Sequence, residues 1–171
     1  ARPPPRVESP QARRQPAGKI SREEAQARID ACWHPYHARL ASLIDIAQLR
    51  TGQAILIDVH SMPHESLEAF GAGRPQIVLG DRVGAAASAE ITDAVEAAFR
   101  AEGLRVARNA PFAGAYIAQT YGRPARGRHV VQVEIDRALY MDERQVLPSA
   151  DFAAFMALMA RVTGRLALLG Q

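Results

Sequence analysis

The chain has a single cysteine, Cys32, among its 171 residues. An internal disulfide is thereby excluded, and a lone thiol fits a reducing compartment. No apolar run approaches the roughly 20 residues of a membrane-spanning helix, so no span is expected. The opening segment lacks the apolar core of a secretory signal, and the cytoplasm is the expected location. There is no internal repeat and no sign of a second folded domain. The same opening segment also lacks aromatic residues. Arg2, Arg6, Arg13, Arg14 and Lys19 stand among Pro3, Pro4, Pro5, Pro10 and Pro16 with no ring on which a base could stack. It reads as a solvated arm, with neither nucleic acid nor membrane as a partner.

What is present suits one globular domain. Hydrophobic residues make up 48% and charged residues 23%, ordinary values, and the net charge of +3 is concentrated in the arm. Residues 1–19 form the Pro/Arg-rich extended segment and 20–171 the folded domain. Ser21-Arg22-Glu23-Glu24 is a capping box, which starts a helix at Arg22 with Ala25, Ile29, Cys32 and Trp33 on its buried stripe. Pro35 interrupts or kinks it before a second helical stretch carrying Leu40, Leu43, Ile44 and Ala47 and ending at Thr51-Gly52. Short apolar runs predict strands at 54–60, 76–80, 104–108 and 129–136. Ser88 to Glu102 predicts a helix stopped by Gly103, and Ser149 caps a last helix with Phe152, Phe155, Met156, Met159 and Val162 inward. Strands alternating with helices give an α/β sheet covered on both faces.

Alternation then sorts the chemistry. Leu56, Asp58 and His60 share one strand face, and Gln132, Glu134 and Asp136 share one face of another, with Arg137 just beyond. His60 stands at a carboxyl strand end, where ligands gather in open α/β sheets. It is either a hydrogen-bonded loop residue or a metal ligand. Glu134 on an inner strand is either paired, by Arg137 or Arg105, or functional. His64 and Glu65 read as solvated loop residues, and His34 and His37 as packing or hydrogen-bonding residues. Arg108, Arg123 and Arg126 are single cations among many.

Five separated segments stand in an order that resembles the N-formylglutamate amidohydrolase family: WHPYHARL, ILIDVHSMP, IVLGDRVGAAAS, NAPFAGAYIAQTYGRP and HVVQVEIDRALYMDE. The likeness runs from about Ile20 to the C-terminus. It implies a three-layer α/β/α fold of the zinc-exopeptidase (phosphorylase/hydrolase-like) kind, with a mostly parallel or mixed sheet. It implies zinc-dependent hydrolysis of N-formyl-L-glutamate to L-glutamate and formate, as in histidine degradation. His60 becomes a zinc ligand with Asp58 behind it, and Glu134 the general base and acid. Arg137 and Asn109 become substrate-positioning residues, and Tyr116 and Tyr121 pocket walls.

One departure stands out. The family's N-terminal portion carries a Pro-His-Ser-Gly-like segment implicated in holding zinc, and nothing upstream of Ile20 matches it. The first nineteen residues hold no His and one acid, Glu8. Replacement by His64 and Glu65 is opposed by Pro63, which disfavours the helix that a His-x-x-x-His pair needs. The expectation is therefore the C-terminal portion of such an enzyme, with the missing segment elsewhere or a homo-oligomer. The alternatives are a non-catalytic homologue that binds or scaffolds, and a hydrolase of another N-acyl amino acid.

Overall fold

In the computed structural model, which describes residues 19–170, Ser21 opens the first helix as a capping residue. Its hydroxyl accepts from the Glu24 N–H at 3.1 Å. Helix α1 (Arg22–Arg28) passes into a π-helical turn, Ile29–Trp33, and then into α2 (His34–Thr51). The irregular turn ends beside Pro35, which has no N–H to donate, and the His34 N–H reaches back to the Ile29 carbonyl. The expected arm, residues 1–18, lies outside the described residues.

The chain divides between Arg39 and Leu40 into two compact units. In the first, the expected buried stripe is not buried. Ile29 and Trp33 are each 42% exposed, and Cys32 is exposed. An apolar stripe marks a face that can be covered, and no described residue of α1 or the π turn is buried. The histidines here do pack: the rings of His34 and His37 lie 4.9 and 4.3 Å from Trp33.

The second unit holds all four expected strands. They are β1 (Ala54–Met62), β2 (Ile77–Gly80), β3 (Val106–Arg108) and β4 (Arg128–Asp136), in the spatial order β1-β4-β2-β3. β1 runs parallel to β4 and β2 parallel to β3, while β2 is antiparallel to β4, so the sheet is mixed. The outer edge of β1 has no strand partner among the described residues. A two-stranded hairpin, β5 (Met141–Asp142) with β6 (Leu147–Pro148), follows the sheet.

One face of the sheet builds the main core. Ile77 and Leu79 from β2 and Val131, Val133 and Ile135 from β4 meet Ile91, Val95 and Phe99 of α3 (Ala89–Arg100) and Val162 of α5 (Phe152–Leu166). The turn that follows α3 closes at Gly103, whose φ of +78° suits a residue without Cβ. Helix α5 starts later than Ser149: Asp151 is its N-cap, and Ser149 Oγ accepts from the Asp151 N–H at 3.3 Å. Phe152 and Met156, expected inward, are 37% and 58% exposed. They lie beside the open edge of β1, lining a 730 Å³ groove with Val59, Phe155 and Met159.

The opposite face is covered by shorter pieces. Leu67, in the 3-10 turns of His64–Gly73, packs with Met62, Val78 and Phe112. Ala118, Ile117 and Tyr121 of α4 (Tyr116–Tyr121) pack with Ala86, Val130 and Leu56. Backbone passes close there: a Cβ on Gly80 would sit 2.5 Å from the Gly114 nitrogen. No helix among the described residues is long and apolar enough to cross a membrane.

Beyond β2 the chain turns through Arg82 and Val83, both at φ +56°. This strained turn is held by Asp81, only 6% exposed. The Asp81 carboxylate accepts from Asn109 Nδ2 at 2.9 Å, the Gly84 N–H at 3.1 Å and Thr92 Oγ1 at 2.9 Å. Burial pushes its pKa up, but these bonds, with the positive charge of Arg108, outweigh burial and hold it below the ordinary value. Asp81→Ala is expected to cost about 3 kcal/mol of stability, because it removes hydrogen bonds to a buried charge. A depressed folded pKa stabilises above the unfolded value near about 4 and is lost as pH falls through the folded one. Thermal melts should therefore show wild-type stability dropping in that acid range, and Asp81→Asn dropping less.

Candidate active site

The pairing of β1 with β4 builds a polar band on the less apolar sheet face. Asp58 stands opposite Gln132, His60 opposite Glu134 and Met62 opposite Asp136. Gln132, Glu134 and Asp136 are all buried. Such groups are stable there only with partners, and each finds a different one.

Glu134 is 8% exposed, and its Oε1 accepts from Gln132 Nε2 at 2.9 Å. Gln132 is itself fixed, because its Oε1 accepts from the Ala115 N–H at 2.8 Å, just before Tyr116 opens α4. Neither expected cation pairs with Glu134. Arg137 donates to Ser61 Oγ and the Ser61 carbonyl at 3.3 and 3.4 Å and lies 3.9 Å from Glu143. Arg105 donates to the Arg74 carbonyl at 2.8 Å. Of the two readings of Glu134, ion pairing is not the one observed.

Asp58 lies behind His60, with Oδ1 3.0 Å from His60 Nε2. Its other oxygen, Oδ2, is buried and has no hydrogen-bond partner among the described residues. A histidine backed by a carboxylate is the arrangement that orients a metal ligand, and the orphaned oxygen favours a nearby positive group. The donor count is another matter. Among the described residues no three of His, Cys, Asp or Glu group closely enough to hold a metal ion. Catalytic zinc takes three protein ligands, so these residues do not by themselves fit a complete zinc site.

His64 departs from the expectation of a solvated loop. Pro63, at φ −60° and ψ 140°, turns the chain so that the His64 N–H donates to Glu143 Oε1 at 2.9 Å. The ring meets Asp136 and Arg74 rather than solvent alone. Glu65 is exposed, as expected.

The other nominated residues separate. Arg137 lies on Ser61, next to His60, and Tyr116 follows the amide that anchors Gln132. Asn109 is engaged elsewhere: its side chain bonds Asp81 and accepts from the Asp81 and Val83 N–H groups at 3.2 Å. Tyr121 packs in the cluster with Ala86, Ala118 and Val130. Gln132 and Asp136 were visible in the sequence as polar alternation on an apolar strand. Arg74 carried no such signal, since it lies in a loop without periodicity.

The profile of the N-formylglutamate amidohydrolase family matches residues 5–141. That match begins upstream of Ile20 and stops at Met141, before α5. The chain is 32% identical over 125 residues to the N-formylglutamate deformylase of Pseudomonas aeruginosa, covering 72% of this chain and 47% of that protein. To the Pseudomonas putida deformylase it is 30% identical over 126 residues, with shares of 73% and 47%. The chain thus spans about half the length of these relatives. The crystal structure of the Ralstonia eutropha JMP134 N-formylglutamate amidohydrolase superposes with a TM-score of 0.79 at 34% identity, over 90% of this chain and 55% of that one. A structure from Agrobacterium tumefaciens, at TM-score 0.54 and 19% identity, shares the fold.

Gln132 links the start of α4 to Glu134, which makes it a test of the band's construction. Gln132→Leu leaves the Ala115 N–H and Glu134 Oε1 without those partners and is expected to cost about 1–3 kcal/mol. Hydrogen exchange should show the Ala115 amide losing protection while the α3 amides keep theirs.

Proposed function

Because the chain belongs to the N-formylglutamate amidohydrolase family, we propose that it carries the general-base half of an enzyme that hydrolyses N-formyl-L-glutamate to L-glutamate and formate. One observation carries this reading. Glu134 is a buried carboxylate opposite His60 that has a neutral amide partner and, among the described residues, no cation paired with it. Burying such a group is costly, and structural ion pairing does not explain it here. Gln132 fixes one oxygen, Oε1, of that carboxylate.

In this reading Glu134 takes a proton from the attacking water, whose oxygen bonds the formyl carbon. When the C–N bond breaks, the same carboxyl group delivers that proton to the departing amine. Water and amide go in; formate and glutamate come out. Arg137, beside Ser61, and Tyr116, beside the Gln132 anchor, are the substrate-contact candidates that lie near this band. Asn109, bonded to Asp81, and Tyr121, packed with Ala86 and Val130, keep the substrate-positioning and pocket-wall roles the family resemblance implies as part of the proposal.

Zinc belongs to the proposal through His60, backed by Asp58. Three-ligand zinc polarises a carbonyl and acidifies bound water. His60 would supply one donor, and the described residues bring no complete set beside it. A cytoplasmic setting is proposed with it, consistent with the free, exposed Cys32.

Glu134→Gln should lower turnover of N-formyl-L-glutamate about 100- to 10,000-fold with little change in melting temperature. Retained activity would remove Glu134 from the role of base. His60→Ala should lower the zinc content of the purified protein by elemental analysis, and unchanged zinc would count against ligation. A panel of N-formyl and N-acetyl amino acids separates the formylglutamate reading from hydrolysis of another acyl group.

A further inference from the structure

We propose that Arg74 forms a carboxylate-binding subsite, with His64 and Asp136 holding its guanidinium in place. The proposal rests on the hydrolase reading above for the identity of the ligand, a small acyl amino acid with a second carboxylate. The subsite would take the carboxylate remote from the amide that is cut.

The relay begins on β4. Asp136 is 4% exposed and follows Glu134 by two residues, so it shares that face at a distance of about 7 Å along the strand. Asp136 Oδ1 accepts from the Ala138 N–H at 3.0 Å, and Oδ2 lies 2.8 Å from His64 Nδ1. On the far side of the ring, His64 Nε2 lies 2.7 Å from Arg74 Nη1. An ionised carboxylate only accepts and a guanidinium only donates. The one arrangement that satisfies both contacts is a neutral imidazole with its hydrogen on Nδ1 and its lone pair on Nε2. His64 is then a spacer that carries the order of a buried carboxylate out to an arginine fork.

Arg74 is held from other directions too. Its Nε donates to the Gly71 carbonyl at 3.3 Å, and its own carbonyl accepts from Arg105 Nε at 2.8 Å. The Nη2 amino group and the second Nη1 hydrogen have no partner among the described residues. Several arginines pair with carboxylates, Arg108 with Asp93 and Glu96, Arg128 with Asp45 and Arg161 with Glu102. Arg105 and Arg123 donate to main-chain carbonyls, and among the described residues none of these five is held by an imidazole backed by a buried carboxylate. A surface cation needs no buried Asp–His pair to hold it. A fork that must meet a planar anion in one orientation does, because pre-ordering reduces what is lost on binding.

The test compares L-glutamate with L-alanine by titration calorimetry on the purified chain, beside hydrolysis of N-formyl-L-glutamate and N-formyl-L-alanine. Arg74→Gln should weaken L-glutamate binding about tenfold or more and leave L-alanine unchanged. KM for N-formyl-L-glutamate should rise by a similar factor with kcat retained. His64→Phe should show the same selective loss, smaller in size. Should Arg74→Gln fail to fold, Arg74→Lys carries the same readout. A reduced preference for glutamate supports the subsite, and an unchanged preference overturns it. Equal weakening of both ligands, or a wild-type chain that does not prefer glutamate, also overturns it. Selective loss of glutamate binding supports the subsite even in a chain that does not hydrolyse N-formyl-L-glutamate, because that readout does not depend on turnover. Hydrolysis with an unaltered KM in Arg74→Gln would overturn the subsite and leave the proposed reaction standing.

Discussion

The parallel register of β1 against β4 places Asp58 beside Gln132 and His60 beside Glu134, and the polar band exists only in that register. A slip of one residue in β4 would turn Gln132 and Glu134 toward α3 and α5 and bring Val131, Val133 and Ile135 to the polar face. Those three valine and isoleucine side chains are held among Ile91, Val95, Phe99 and Val162. Apolar packing on one face therefore fixes where the acids stand on the other. The chemistry on the site face is positioned by residues that never touch it.

Along that face, three carboxylates have two kinds of partner. Asp58 has the imidazole of His60, Glu134 the amide of Gln132, and Asp136 the imidazole of His64. The flanking pairs are suited to orienting a ring. The central carboxylate, held by a neutral group at one oxygen, is suited to exchanging a proton. This division follows from partner type and from position along two strands.

The strands were legible because their apolar runs end at strong punctuation, Gly52 and Pro63 around β1 and the polar turn after Asp136. Alternation also identified the face shared by Asp58 and His60. Pairing was not legible: nothing local states that β2 lies between β4 and β3 and runs against β4. Periodicity named Phe152 and Met156 as apolar positions of α5 correctly, but it cannot say whether anything covers them. The stripe of Ile29 and Trp33 failed for the same reason. His64 was misread because its environment is made by residues as far away in sequence as Asp136 and Glu143. Asn109 was carried to a substrate role by resemblance, whereas its amide spans the Asp81 turn.

The close passage of Gly80 against Gly114 bears on how descendants of this chain would diverge. A side chain at Gly80 meets main-chain atoms, which have no rotamer to yield. That restriction belongs to folding and persists in a lineage that has abandoned catalysis. Glu134 is different, since its burial is a burden on the fold that selection for turnover would have to maintain. A lineage kept only for its shape would hold the glycine and let the glutamate drift to an apolar residue. The two positions thus answer to different constraints within one sheet.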